Sequence, residues 1–369
     1  MSFVRLRAIV KKESIQILRD PFSLAMAFIM PLMLLFIFGY AISLDVDKLT
    51  TVVNDLNNTS ASRELVRQFT SSGYFKVVHY VERYQDIDYY LDSGKARIAI
   101  AIPADFQSRV ATRKDAHFQI IVDGSDSNTA TIALGYASGV AEQAIRRLAG
   151  AVIVPTIDTR VRVWYNPELK SRNFIIPGLV AVIMAVVGAL LTSLTIAREW
   201  ERGTMEQLIS TPVKVPELII GKLVPYFVIG LIDVLLSVVL GIFLFGVPLK
   251  GSLAVLLVVS SIFLFGILSL GILVSIIAKS QVLASQLAMI SSYLPAFLLS
   301  GFMFAIPNMP TALQVISYVV PARYFVGMMK DIFLKANPLS FLLFDMTLLL
   351  VFGGALFIAA NRKFKKVME

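Results

Sequence analysis

Six long apolar runs punctuate the chain, at residues 22–44, 174–197, 223–247, 253–278, 282–306 and 339–360. Each approaches or exceeds the ~20 residues that carry a helix across ~30 Å of hydrocarbon. The runs are continuous rather than alternating, and a helix satisfies its own backbone groups in lipid, so the pattern predicts spanning helices and not a barrel. Ahead of them, residues 2–19 interleave Phe3, Val4, Leu6, Ile9, Val10, Ile15, Ile17 and Leu18 with basic side chains. This predicts an amphipathic helix at the membrane surface over residues 1–20, ended where Asp20-Pro21 breaks it.

Residues 45–172 change character: hydrophobicity falls, Asp, Asn, Ser and Tyr accumulate, and the length suffices for a compact domain. Segments 51–53, 75–81, 97–102, 118–122 and 160–164 read as strands. Segments 60–69, 84–92, 104–112 and 128–148 read as helices between them, with Pro103 starting one where its missing donor does no harm. An α/β lobe is expected, returning to the membrane through Trp164, Tyr165 and Asn166-Pro167-Glu168. After the fifth run, Pro307, Pro310, Pro321 and Pro338 interrupt residues 307–337 too often for one crossing helix. Irregular backbone at membrane depth must be covered by protein or water, so one or two short re-entrant helices are expected on the outer side. The expected organisation is a surface helix (1–20), a first span (21–44), the lobe (45–172), spans two to six (173–361) and a basic tail (362–369).

Composition agrees, with 57% hydrophobic and 16% charged residues and a mean hydropathy of +0.75, far from soluble averages. Orientation follows the cytoplasmic bias of lysine and arginine near span ends. Arg5, Arg7, Lys11, Lys12 and Arg19 precede the first span, Arg198, Arg202, Lys214 and Lys222 follow the second, and Arg362, Lys363, Lys365 and Lys366 follow the last. Six spans place all three clusters on one side, which makes both termini cytoplasmic and the lobe extracytoplasmic. The net charge of +9 is then an orientation signal facing a lipid bilayer. No basic run stands apart from a span end, so nucleic acid is not an expected partner. The chain has no cysteine, which excludes disulfide and thiolate chemistry. The first apolar run is too long for a cleaved signal peptide and is read as retained.

The stretch 197–222, AREWERGTMEQLISTPVKVPELIIGK, is the longest strongly charged interruption between apolar runs. Thr204 and Gln207 fit a reciprocal capping box, which starts a helix near Met205. Pro212 limits that helix to about one or two turns, and Pro216 suits the first turn of the next. The result is a rigid charged elbow at 198–216, joined to two spans and able to pass a push into the membrane. Its residues resemble the pattern RExxxGTxExLxxTP followed by GK, carried here by Arg198, Glu199, Gly203, Thr204, Glu206, Pro212 and then Gly221-Lys222. That pattern is similar to the cytoplasmic coupling segment of type-2 ABC exporter permeases. Residues 166–178 (NPELKSRNFIIPG), Asp123-Gly124-Ser125-Asp126 with Asn128, and Pro321 to Phe325 resemble the subgroup with a large periplasmic domain after the first span. The resemblance implies that Arg198, Glu199, Glu201, Arg202, Gly203, Thr204, Glu206 and Pro212 couple the chain to a separate ATP-binding subunit, which would hold ATP and Mg. It also implies a periplasmic adaptor as a further partner and a bacterial inner membrane location; because one half offers only part of a passage and closed two-fold assemblies are the common solution, a homodimer or a heterodimer with a related permease is expected.

The chain carries no chemistry of its own that would drive transport. A phosphate-cradling GxxxxGK[ST] loop is absent: Gly221-Lys222 is followed by Leu223 and preceded at the required spacing by Pro216. His79 and His117 are isolated, and no HExxH or GxSxG pattern occurs, so the chain is not expected to be an enzyme or to hold a cofactor or metal. The DGSDSN run lacks the spaced glutamate of a calcium loop and reads as a turn. Asp233 lies about ten residues into the third span, roughly 15 Å deep at helical rise. Acids at such depth are costly and are functional suspects. Asp233 is open to lining a polar passage, relaying protons, pairing with Arg323, or making a structural hydrogen bond. Asp345, in the sixth span, is placed where Lys330 or Lys335 could neutralise it.

The predicted fold is an α-helical polytopic membrane protein with six transmembrane helices and an extracytoplasmic α/β domain. The predicted function is the permease subunit of an ATP-driven exporter of amphipathic drugs, lipids or lipid-linked molecules. A proton-coupled carrier using Asp233 and a mechanotransmitting complex without transport through the spans are the alternatives.

Overall fold

The computed structural model describes residues 2–41, 48–112, 116–125, 127–148, 165–166 and 170–364. They divide into two compact units, one of Met1–Ser43 with Val163–Glu369 and one of Leu44–Arg162.

Six helices of the first unit are long and apolar enough to span a membrane: Pro21–Tyr40, Ser171–Glu201, Val215–Phe243, Leu253–Ala278, Gln281–Leu298 and Leu339–Lys363. They match the six apolar runs, with differences at their ends. The second and third helices extend into the expected elbow through charged turns, because polar groups at a helix end can still be paired while the backbone ladder continues. The second helix is the axis of the unit. Of its apolar window 94% is buried, against at most 50% in the other five. The first helix carries a π-turn at Ala25–Ile29 and the fifth one at Met289–Tyr293.

The N-terminal helix Phe3–Leu18 forms as its alternation predicts, burying Ile9, Glu13 and Ile17 and exposing Phe3 and Val4. It lies against the third span at Gly221, where an added Cβ would sit 2.6 Å from Ile9. Only a residue without a side chain lets the two helices approach this closely. Asp20 caps the first span, accepting the N–H of Phe22 at 3.2 Å with Pro21 in the first turn. After the fifth span the chain breaks, as its prolines require, into Thr311–Ser317 and Pro321–Lys335, which meet at 86°. The corner is fixed by Arg323, which donates to the Gln314 carbonyl (3.2 Å) and the Ser317 hydroxyl (2.5 Å) and lies over the Tyr318 ring.

The second unit is an α/β lobe with sheet order β2-β1-β3-β4, where β1 is Leu49–Asp55, β2 Phe75–Tyr80, β3 Ile98–Ile102 and β4 Gln119–Val122. The first three strands run parallel and β4 antiparallel, with Val53 opposite Ile100 and Ile100 opposite Ile120. Central β3, sequence IAIAI, is buried throughout, as a strand covered on both faces must be. On one face Val53, Ile98 and Ile100 pack with Leu65, Phe69 and Phe106, and on the other Val52, Ala99 and Ala101 pack with Ile87. The helix Ser60–Ser71 begins in a reciprocal cap between Thr59 and Ser62. The expected helix at Pro103 begins instead at Phe106, because residues 103–105 form a turn in which the Phe106 N–H donates to the Pro103 carbonyl. The expected strand 160–164, Trp164, Pro167-Glu168, Asp126 and the tail beyond Phe364 lie outside the described residues.

The close approach at Gly221 is testable. Gly221→Val should lower stability by about 1–3 kcal/mol through overpacking, read as a lower thermal midpoint of the purified chain, and Ile9→Ala in the same chain should recover part of the loss.

Candidate functional site

The charged elbow is shorter than its sequence suggests. Arg198, Glu199 and Glu201 belong to the last turns of the second span, Arg202 ends it, and Gly203 reverses the chain at φ +69°, where a side chain would be strained. The elbow helix is Met205–Ser210. Thr211 is extended, and the third span starts at Val215 with Pro216 in its first turn. Glu217 closes that start by accepting the Lys214 N–H at 2.9 Å. The elbow helix therefore has the expected length, but the capping box is not formed. Thr204 is in a helical conformation without a cap, and its hydroxyl donates to the buried Glu199 carboxylate. A side-chain cap needs extended backbone at its first residue, which Thr204 does not have.

Beneath the elbow is a buried charge cluster. Lys222, 1% exposed, reaches Glu13 at 2.9 Å and Glu199 at 3.3 Å, and Lys12 reaches Glu199 at 2.5 Å. Two cations and two carboxylates balance. Glu217 accepts the Ser2 N–H at 2.6 Å and faces Arg5 at 3.4 Å, while Arg5 also donates to the Pro212 carbonyl. The N-terminal helix is thereby pinned to both ends of the elbow. On the other side Arg198 pairs with Asp20 at 2.7 Å and donates to Ser23 and Gln281, each at 3.3 Å. Glu201 accepts the Gln281 N–H at 2.7 Å and its side-chain amide. The second span is so tied to the entries of the first and fifth. Burial opposes the charge on Asp20, but the Ser23 hydroxyl and the Arg198 guanidinium outweigh it and hold its carboxyl below the ordinary range.

The eight elbow residues singled out by sequence thus divide. Arg198, Glu199 and Thr204 face inward and hold the joint together. Glu201 is exposed but engaged with Gln281, and Gly203 sets the turn. Arg202, Glu206 and Pro212 face outward, and neither Arg202 nor Glu206 makes an ion pair among the described residues. Sequence reasoning missed Lys12, Glu13 and Gln281 as parts of the site. The signal for Glu13 was present: it is an acid set inside a basic amphipathic helix, where the apolar stripe should run.

The intramembrane residues do not come together as expected. Asp233 is 7% exposed at the junction of the second, third and fourth spans and does not pair with Arg323, which is committed to Gln314 and Ser317. Neither lysine neutralises Asp345. Lys335 pairs with Asp331 at 2.6 Å, one helical turn away, and Lys330 donates to the Gly301 carbonyl at 2.9 Å above the Phe174 ring. Local partners within a turn, or a fixed carbonyl, require less ordering than a contact to another helix. Among the described residues no group of three metal-ligating side chains gathers, and Asp123 closes its turn by accepting the Ser125 N–H at 2.9 Å.

Spans, lobe and ion-clamped elbow together define a polytopic membrane protein of the permease class. Residues 21–361 match the ABC-2 family transporter protein, and the chain belongs to that family. It is 40% identical over 341 residues to the probable multidrug ABC transporter permease YbhS of Escherichia coli K12, covering 91% of this chain and 90% of that one. It is 31% identical over 368 residues to the probable multidrug ABC transporter permease YbhR of the same organism, covering 99% of each. The inner membrane transport permease YhhJ is 26% identical over 289 residues, covering 77% and 76%. The chain is a permease subunit of an ABC transporter.

Lys222→Met should cost ~3–5 kcal/mol, because it strands the buried Glu13 carboxylate and leaves Glu199 with Lys12 alone. Adding Glu13→Gln should recover part of that, measured by thermal unfolding in detergent. The Asp20 latch has the usual carboxylate sign. With a folded pKa below its unfolded value of about 3.9, its stabilisation is complete above that pH and disappears as pH falls through the folded value. Acid titration of unfolding should therefore show a loss below about pH 4 that is absent in Asp20→Asn.

Proposed function

We propose that this permease is the membrane half of an ATP-driven exporter, and that its outward elbow face receives a separate ATP-binding subunit holding ATP and Mg. The observation that carries the reading is the joint at 198–222. A six-residue helix presents Glu206, with Arg202 and Pro212 on either side, while ion pairs and the Glu201–Gln281 hydrogen bond fix its two flanking spans to the N-terminal helix and to the entries of the first and fifth spans. A push on such a joint is passed to the second and third spans rather than absorbed by loop motion. Nucleotide-driven closure of the ATPase pair would tilt those spans and open the passage outward. Two permease halves would enclose it, as a homodimer or with a related permease, since closed two-fold assembly is the common solution.

The basic clusters support a bacterial inner membrane orientation with both termini in the cytoplasm. The lobe would then face the periplasm, where a periplasmic adaptor protein is its expected partner. The apolar surfaces of the spans suit amphipathic drugs, lipids or lipid-linked molecules. The relatives named as multidrug ABC transporter permeases favour drugs, and favour nucleotide drive over a proton-coupled carrier centred on Asp233.

The decisive variant reverses the outward charges and leaves the buried ones alone. Arg202→Glu with Glu206→Arg should abolish co-purification of the ATP-binding subunit and ATP-driven transport in vesicles. The permease's own stability should stay within about 0.5 kcal/mol, as for surface substitutions. Retained association and transport would remove the coupling role. Glu199→Gln, by contrast, should lower the thermal midpoint, because it leaves Lys222 with one carboxylate fewer.

A further inference from the structure

Six charged residues of the described chain are buried: Glu13, Arg198, Glu199, Glu217, Lys222 and Asp233. The first five are matched to one another or to Asp20, Arg5 and Lys12. Asp233 alone has neither ion pair nor hydrogen bond among the described residues. It borders a chamber of about 10 Å³ whose walls include Met184 and Val187 of the second span, Tyr226 and Ser237 of the third, and Leu264 and Leu268 of the fourth. That volume admits about one water molecule.

Among the described residues no cation reaches this carboxylate. The second span has no Lys, Arg or His between Asn173 and Ala197, and the fourth has none between Leu253 and Ala278. The third span's one base, Lys222, lies eleven residues earlier, about 16 Å along the helix, and is held by Glu13 and Glu199. Arg323 and Lys330 are committed elsewhere. An uncompensated acid at this depth is costly, and asparagine of the same shape would avoid the cost. One carboxylate and the hydroxyls of Tyr226 and Ser237 fall short of the roughly six oxygen donors that a hard inorganic cation stripped of water takes.

We infer that Asp233 is the recognition carboxylate for the positively charged centre of an organic amphipathic cargo. The chamber lies between the second and third spans, the two that the elbow joins, so a displacement of the elbow acts directly on its walls. The small chamber then widens to admit the cationic head while the apolar walls take the remainder. This rests on the export reading above and adds to it a substrate class, lipophilic organic cations.

The test uses the native permease with its ATP-binding subunit in nanodiscs, and equilibrium dialysis against tetraphenylphosphonium and the neutral triphenylphosphine oxide. Asp233→Asn should weaken tetraphenylphosphonium binding by about tenfold or more, ~1.4 kcal/mol. Asp233→Glu should retain it within about threefold, and the neutral probe should bind all three proteins alike. Cation binding unchanged in Asp233→Asn overturns the inference, and so does an equal loss of both probes in both variants, which marks a structural role. A native protein without preference for the cation overturns it as well. ATP-driven uptake of tetraphenylphosphonium into inside-out vesicles is read separately. The expected dialysis pattern without such uptake would leave the site standing and remove the export reading. Uptake unaffected by Asp233→Asn would do the reverse.

Discussion

Charge buried beside an apolar span has few acceptable arrangements, and the joint at the elbow is built on that constraint. Lys222 carries its ammonium into the base of the third span and has to find both Glu13 and Glu199 there. Each carboxylate is in turn fixed by a different helix. Removing any member leaves an uncompensated ion, so the N-terminal helix and the second and third spans hold one mutual position or none. The elbow helix hangs from this cluster through Thr204 and Glu199, and its rigidity comes from the cluster rather than from its own six residues. A helix that short would be marginal in isolation.

The same principle explains how two kinds of surface coexist within twenty-six residues. Inward positions of the segment are ionised and paired, while Arg202, Glu206 and Lys214 stay in water, where a charge needs no partner. The clamp supplies stiffness and the outward face supplies recognition. Asp233 departs from this division, being buried like the first set and unpaired like the second. The lobe needs none of these devices, because its sheet buries apolar side chains on both faces of β1 and β3 and its helix Ser60–Ser71 is capped by hydroxyls.

The legibility of the sequence followed the range of each interaction. Spans, the N-terminal helix, four strands and the four helices that alternate with them were readable because periodicity and apolar run length are local properties. The proline-broken segment after the fifth span was readable too, since proline acts on its own turn. Pairings were not. Thr204 and Gln207 satisfy the capping pattern, yet Glu199 took the hydroxyl. Asp345 has two lysines nearby in sequence, yet Asp331 and the Gly301 carbonyl took them. In each case the backbone conformation or the distances that decided the outcome exist only after folding.

By itself the sequence determined the class of the protein: a six-span membrane chain with an α/β lobe and a charged interruption of ABC-2 permease type. Solvation fixes that much, because the water-to-lipid transfer of a twenty-residue apolar run outweighs any contact made later. Tertiary structure alone decided which of the elbow's charges clamp the spans and which face outward, and that Glu13 belongs to the joint while Asp233 is left without a partner among the described residues. Those outcomes depend on which helices meet, and Gly221, by admitting Ile9, brings the N-terminal helix close enough for Lys222 to choose its carboxylates.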